Sequence, residues 1–204
     1  MVNLYPIPIV TIPLLRPTAQ IVPVATIREW ARRTGNPQAH RRDMAGITVP
    51  SILVDHTSLR DSHRTHQGTR EFRYLSGTLT IYLRQRVFIA ANLTPCEQRI
   101  WTAHEFDHVR DNEQLMGTLM LRLQTESFMQ SFFVQRQWLP EDARALIMDS
   151  IRETCARIFR QLTADAVRRR DTPAEYQRVR SRIRETCYGR ARRPSRRASA
   201  RESR

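Results

Sequence analysis

The chain has 204 residues, 40% of them hydrophobic, which suits one domain with a real core and leaves too little length for two independent ones. Its formal net charge is +14 and all 34 basic residues are arginine, a bias that genomic base composition alone can produce. Three cysteines, Cys96, Cys155 and Cys187, are too few for a disulfide scaffold and are not spaced as a zinc finger, although one pair can form in an oxidising compartment.

The stretch from Met1 to Thr26 is rich in Ile, Val and Leu and carries Pro6, Pro8, Pro13, Pro17 and Pro23. It has no basic start, no uninterrupted apolar core and no clear cleavage site, so it reads as neither a signal peptide nor a membrane span. Proline at this density excludes helix, and the stretch is expected as an extended arm along the domain or a partner chain. Ile27 to Arg42, with Trp30 and Arg28, Arg32, Arg33, Arg41 and Arg42, follow as a short helix and a polar loop through Gly35-Asn36-Pro37. Residues 1–44 thus form an arm, 45–188 the main domain and 189–204 a tail.

From Ala45 the pattern turns to short strands: Ile47-Thr48-Val49, Ile52-Leu53-Val54, Phe72-Arg73-Tyr74, Thr78 to Leu83 and Val87 to Ala91. Two or more should pair as a small antiparallel sheet, and an edge strand of it could hold an extended peptide by strand addition. His56, His63 and His66 fall between these runs. They read as histidines of a polar surface loop, with a metal ligand or second site as the sharper alternative.

A long helix is expected from Pro95 to Leu123. Thr94 before Pro95, with Glu97 three residues on, is a capping-box start with proline at the first helical position. Ile100, Trp101, Val109, Leu115, Met116, Leu119, Met120 and Leu123 recur at helical spacing. Within it lies His104-Glu105-Phe106-Asp107-His108, a His-Glu-x-x-His motif. On a helix the two imidazoles sit one turn apart on one face, within reach of one tetrahedral ion, and Glu105 lies beside it. Zn²⁺ there lowers the pKa of a bound water to about 7, and the carboxylate takes the water's proton. The bland reading is a solvated face on which these residues happen to fall.

The rest is read as helical. Ser127 to Gln137 carries a core stripe of Phe128, Met129, Phe132, Phe133 and Val134. Pro140-Glu141-Asp142 starts a helix to about Arg170. Thr172, Pro173 and Glu175 start a last one, to about Tyr188, as N-cap, first helical position and capping-box partner.

A zinc site needs a third protein ligand. The metzincin extension would require Gly at 111 and His or Asp at 114, where this chain has Asp111 and Gln114. Asp111, on the same face as His104, is expected to orient His108 rather than to ligate. A carboxylate from a later helix, as in gluzincins, fits better: Glu153, Asp171 or Glu175. Glu175 is preferred here, with Tyr176 beside it as a phenol able to stabilise an oxyanion. The alternative is that Glu175 only caps its helix and Tyr176 packs.

Val87-Phe88-Ile89-Ala90, Cys96, His104-Glu105-x-x-His108-Val109 with Asn112, then Asp171-Thr172-Pro173-x-Glu175-Tyr176 and Cys187 resemble poorly characterised bacterial zincin-like proteins. They are distantly similar to a family of secreted zinc-dependent proteases long known only as a domain of unknown function. The resemblance covers roughly residues 45–188 and implies an α+β zincin-like fold, zinc at His104 and His108, and Glu105 as general base. It also implies a periplasmic or secreted setting in which Cys155 and Cys187, or Cys96 with one of them, bridge.

The tail from Gly189 holds seven arginines against Glu202 alone and no apolar periodicity, so disorder is expected. It suits an anionic partner such as nucleic acid or a membrane surface. A zinc peptidase acting on a peptide or protein is therefore the leading reading. A basic nucleic-acid-binding protein, or a catalytically silent zincin-like module, is the alternative.

Overall fold

The computed structural model describes residues 8–13, 17–36, 44–135 and 137–189; Arg41, Arg42 and the tail beyond Gly189 lie outside them, with the expectations attached to them. In chain order the described residues form β1 (Ile9–Pro13), β2 (Ala19–Val22), α1 (Val24–Arg33), β3 (Gly46–Asp55), β4 (Arg60–His66), β5 (Thr69–Ser76), β6 (Leu79–Ala90) and α2 (Pro95–Thr125). Then come α3 (Ser127–Phe133), β7 (Leu139–Pro140), a 3-10 turn (Glu141–Ala143), α4 (Arg144–Arg170), α5 (Pro173–Ile183) and a π-helical turn (Arg184–Tyr188). The class is α+β, as the sequence implies.

The main sheet is built on β6, where two expected strands run together. Leu79, Ile81 and Leu83 are buried by alternation, and Val87 to Ala90 are buried outright. β3 pairs with it antiparallel, from Asp55 opposite Thr80 to Gly46 opposite Ile89. β3 likewise fuses two expected strands. Pro50 is tolerated between them because β3 has no second partner among the described residues, so the missing N–H breaks no ladder.

The other edge of β6 is taken by the proline-rich arm. β1 runs parallel to it, Ile9 opposite Leu79 through Pro13 opposite Leu83, and β2 follows from Ala19 opposite Val87 to Val22 opposite Ala90. The arm is extended, as its prolines require, but it hydrogen-bonds as edge strands. The sheet is therefore mixed, not the antiparallel one expected.

The loop expected around His63 and His66 is also corrected. Both sit in β4, which pairs with β5 in a second, antiparallel sheet completed by β7. The hairpin closes on Gln67 and Gly68, with φ of 47° and 77°; two left-handed residues in a row match the twist of the strands they join. His63 lies 3.2 Å from Asp61 and 3.1 Å from Glu141, so its two ring nitrogens face different carboxylates at the surface and do not converge with them on one point.

α2 starts as its sequence predicts. The Thr94 hydroxyl accepts the Glu97 N–H, and the Glu97 carboxylate accepts the Thr94 N–H at 2.8 Å. Its buried face carries Trp101, His104, Glu105, His108, Asn112, Met116, Leu119 and Leu123, so one stripe faces the protein along its whole length. The C-terminal half of the stripe, Met116, Leu119 and Leu123, shares a core with Ile81 of β6 and with Phe133, Ile151 and Phe159 of α3 and α4. The N-terminal half packs with Val87, Ile89, Val179 and Ile183. Between the two, the Gln85 side chain donates to the Val109 carbonyl at 3.2 Å and accepts from Asn112 at 2.9 Å, fixing α2 on β6.

Cys96 at the start of α2 is bonded to Cys187 beyond α5, so of the pairings the resemblance allows it is the one between Cys96 and Cys187 that forms. Cys155 is a buried free thiol, pushed up to about 12 by burial and therefore unreactive. No helix among the described residues is long and apolar enough to cross a membrane.

Candidate metal centre

The buried stripe of α2 carries His104, Glu105 and His108, which are 4%, 5% and 7% exposed. Burying such groups costs free energy unless partners satisfy them. The partner arrives from the turn between α4 and α5. Asp171, the C-cap of α4, places Oδ1 2.9 Å from His108 Nε2 and 3.4 Å from His104 Nε2. One ligand atom from each of the three residues lies within 4.8 Å of the others. They form a buried group that could hold a metal ion.

The residues fit such an ion. Neither ring nitrogen of His104 has a hydrogen-bond partner among the described residues, although both are buried. Leaving a buried polar atom idle costs about 1–3 kcal/mol, and a bond from one nitrogen to a metal removes that cost at the nitrogen that binds. Two imidazoles and one carboxylate are also the donor set of a three-ligand site that keeps a fourth position open.

The electrostatics show how closely the three groups are coupled. Burial alone would raise the Asp171 carboxyl, but the close approach of His104 and His108, with the hydrogen bond from His108, holds it well below the usual carboxylate range. Burial pushes His108 down, while its bond to Asp171 and the Glu105 charge more than offset this and leave it above its ordinary value. Proton and metal would compete for the same imidazole.

Glu105 is placed by β3. Thr48 Oγ1 lies 2.9 Å from both the Glu105 carboxylate Oε2 and its carbonyl oxygen, so the hydroxyl proton serves one of them at a time. A Cβ on Gly46 would stand 2.8 Å from Glu105 Oε1 and 2.9 Å from its Cγ, so only glycine lets the strand backbone approach this closely. Burial raises the Glu105 pKa against the lowering pull of His108 and His104, which makes its carboxylate a stronger base than an exposed one.

Asp111 does not orient His108 as expected. It takes a two-pronged ion pair from Arg170, whose Nη2 donates to Oδ1 at 2.7 Å and whose Nε donates to Oδ2. Arg170 also lies 3.6 Å from Asp107. Because Arg170 immediately precedes Asp171, the pair pins the end of α4 to α2 and so positions the carboxylate instead of the imidazole.

Tyr176 is brought to the site. Its ring centroid lies 5.8 Å from that of His104 and 5.9 Å from that of Trp101, and it lines a small cleft with Glu105, His108 and Asp171. Glu175 is not brought there. Its N–H donates to Thr172 Oγ1 at 3.2 Å and its carboxylate pairs with Arg178 at 2.9 Å, so only half of the expected capping box forms and the side chain serves the helix surface. Glu153 is exposed on α4. Thr48 and Gly46 had no signal in the sequence, since both act through a contact between segments nearly sixty residues apart.

If the group holds a divalent metal, Asp171→Ala is expected to weaken its binding by at least about 100-fold, the upper end of what loss of even a supporting group costs, and Glu175→Ala to change it by less than about 3-fold. Competition against a chromophoric chelator measures both. The opposite order would return the third ligand to Glu175.

Compared with known proteins, the chain matches no family model, no curated protein and no solved structure.

Proposed function

We propose that this chain is a zinc-dependent peptidase of zincin-like architecture, hydrolysing bonds in a peptide or protein substrate. The observation that carries the reading is His104, both of whose ring nitrogens are buried without a partner beside His108, Asp171 and the buried Glu105 carboxylate. Zinc suits the donor set, because it takes imidazole and carboxylate together in four-coordinate sites. When bound, it supplies an acidified water and a polarised carbonyl.

The chain's own residues do the rest. Glu105, held by Thr48 and seated against Gly46, accepts the water's proton and hands it to the leaving amine. Tyr176, over the cleft, offers its phenol to the oxygen on which negative charge grows. β3, unpaired on its outer edge among the described residues, gives an extended substrate a strand to lie against. The Cys96–Cys187 bond supports a periplasmic or secreted setting.

The test is metal content by mass spectrometry in chelator-free buffer. Wild type should carry about one zinc per chain and His104→Ala essentially none. Because both imidazoles must be deprotonated to bind, and His108 holds its proton to higher pH than usual, occupancy should fall on acidification, starting at a higher pH than for a pair of ordinary imidazoles. A folded wild type that takes up no zinc would overturn the reading.

A further inference from the structure

The two faces of the main sheet are covered differently. Side chains alternate across a strand, so in β6 Leu79, Ile81 and Leu83 pack with α2 and α4 while Thr80, Tyr82 and Arg84 point to the other side. α1 covers one end of that second face, where Ile27 and Ala31 pack on Ile47, Phe88 and Ala90. The other end is open. Ile12, Tyr82 and Leu53 stand in one row across β1, β6 and β3, and Val10 lies in the next row, opposite Thr80. Val10 and Ile12 are each 38% exposed and Leu53 54%. Exposed apolar side chains gathered in this way mark a contact surface.

The charge beside the row selects the occupant. Arg84 and Arg86 continue the same face toward α1 and are exposed. Neither guanidinium has an acidic partner among the described residues; that of Arg86 lies 5.6 Å from the Trp30 ring, which stacks on Phe88. The acids that α1 and this face carry are committed: Asp55 Oδ1 accepts the Thr57 N–H at 2.9 Å, and Glu29 pairs with Arg33 at 2.5 Å. The face therefore presents aliphatic side chains, a tyrosine and uncompensated guanidinium groups together. A nucleic-acid strand has phosphates for the arginines but nothing for Ile12 and Leu53. A second copy of the chain would press the same positive charges together in a contact that excludes water. A bilayer with anionic headgroups satisfies both chemistries, with acyl chains for the aliphatic row, phosphates for the arginines and the boundary between them for the tyrosine.

We infer that this open half of the sheet is a membrane-docking face: Val10, Ile12, Leu53 and Tyr82 enter the headgroup region of an anionic lipid bilayer, and Arg84 and Arg86 bind its phosphates. Glu105, held by Thr48 and seated against Gly46, lies on the opposite side of the sheet, so a docked chain keeps the metal group on the side away from the bilayer. The inference stands apart from the peptidase reading and does not need the ion.

The experiment uses the full chain with vesicles of phosphatidylcholine, alone or with about one-third phosphatidylglycerol, at about 0.15 M salt. Leu53→Cys introduces the only accessible thiol, because Cys96 and Cys187 are bonded to each other and Cys155 is buried. A polarity-sensitive fluorophore on that thiol should shift to the blue with the anionic vesicles and not with the neutral ones. Co-sedimentation then measures affinity. Ile12→Ser with Leu53→Ser should weaken it at least about 10-fold, and Arg84→Gln with Arg86→Gln about 25-fold, the scale of two arginines at such a surface. The label reads insertion in a chain that keeps Ile12, so the test holds even where the serine pair destabilises the fold. No blue shift, or weakening in the arginine pair alone, as purely electrostatic adsorption of a basic chain would give, overturns the inference. So does a blue shift with a single-stranded oligonucleotide in place of vesicles, which would assign the face to nucleic acid. A lipid-free dimer in sedimentation velocity that the serine pair dissolves would assign it to a second copy and overturn the inference as well.

Discussion

If the chain is the zinc peptidase proposed above, Glu105→Gln is expected to lower kcat/KM for peptide hydrolysis by about 1,000-fold while leaving zinc stoichiometry unchanged. The reasoning is steric as much as chemical. Gln has the same shape, so it fits against Gly46, where a Cβ would already be too close, and its amide oxygen can still accept from Thr48. What it cannot do is take a proton. Stability should not fall, since a buried carboxyl whose pKa is raised by desolvation is itself costly to ionise. Steady-state kinetics on a peptide library, with metal content and thermal midpoint measured on the same samples, separate the cases. Near-wild-type activity would move the base elsewhere, and loss of zinc would make Glu105 a ligand.

Breaking the Cys96–Cys187 bond, by Cys187→Ala or by reductant, is expected to lower unfolding free energy by about 4.6 kcal/mol. The two cysteines are 91 residues apart, and closing a loop of that length removes about that much chain entropy from the unfolded state. The native cost should concentrate at α5, whose far end the bond ties to the start of α2, while Val179 and Ile183 keep their buried contacts. Urea unfolding with and without reductant reads the difference at constant free zinc. A change below about 1 kcal/mol would mean that structure persisting in the reduced unfolded chain already closes the loop.

The sequence was most legible where the signal is local. The Thr94 capping box, the buried stripe of α2 and the placement of His104, Glu105 and His108 on it all follow from spacing, and all appear in the structure. Turn chemistry at Gln67-Gly68 was equally local but was masked by the polar composition of β4, whose residues 63–66 are all exposed and leave no alternation to read. Arg84, Gln85 and Arg86 likewise interrupt the apolar run of β6 without ending the strand. The third member of the metal group was not legible. Asp171 and Glu175 sit in one short stretch with the same chemistry, and only the docking of α4 on α2 by Arg170 and Asp111 decides which carboxylate turns inward. The parallel arm was hidden for the same reason, since its partner strand lies some seventy residues away.

The distance along the chain between the members of the metal group has a thermodynamic consequence. His108 and Asp171 are 63 residues apart, and Thr48 lies 57 residues before Glu105, so no fragment shorter than most of the domain contains the assembled centre. An ion that binds only the folded chain adds RT ln(1 + [L]/Kd) to its stability, about 2.7 kcal/mol at a free concentration of 100 Kd. Zinc would then act on the whole cooperative unit, and the fraction of chains folded would follow free zinc as well as temperature.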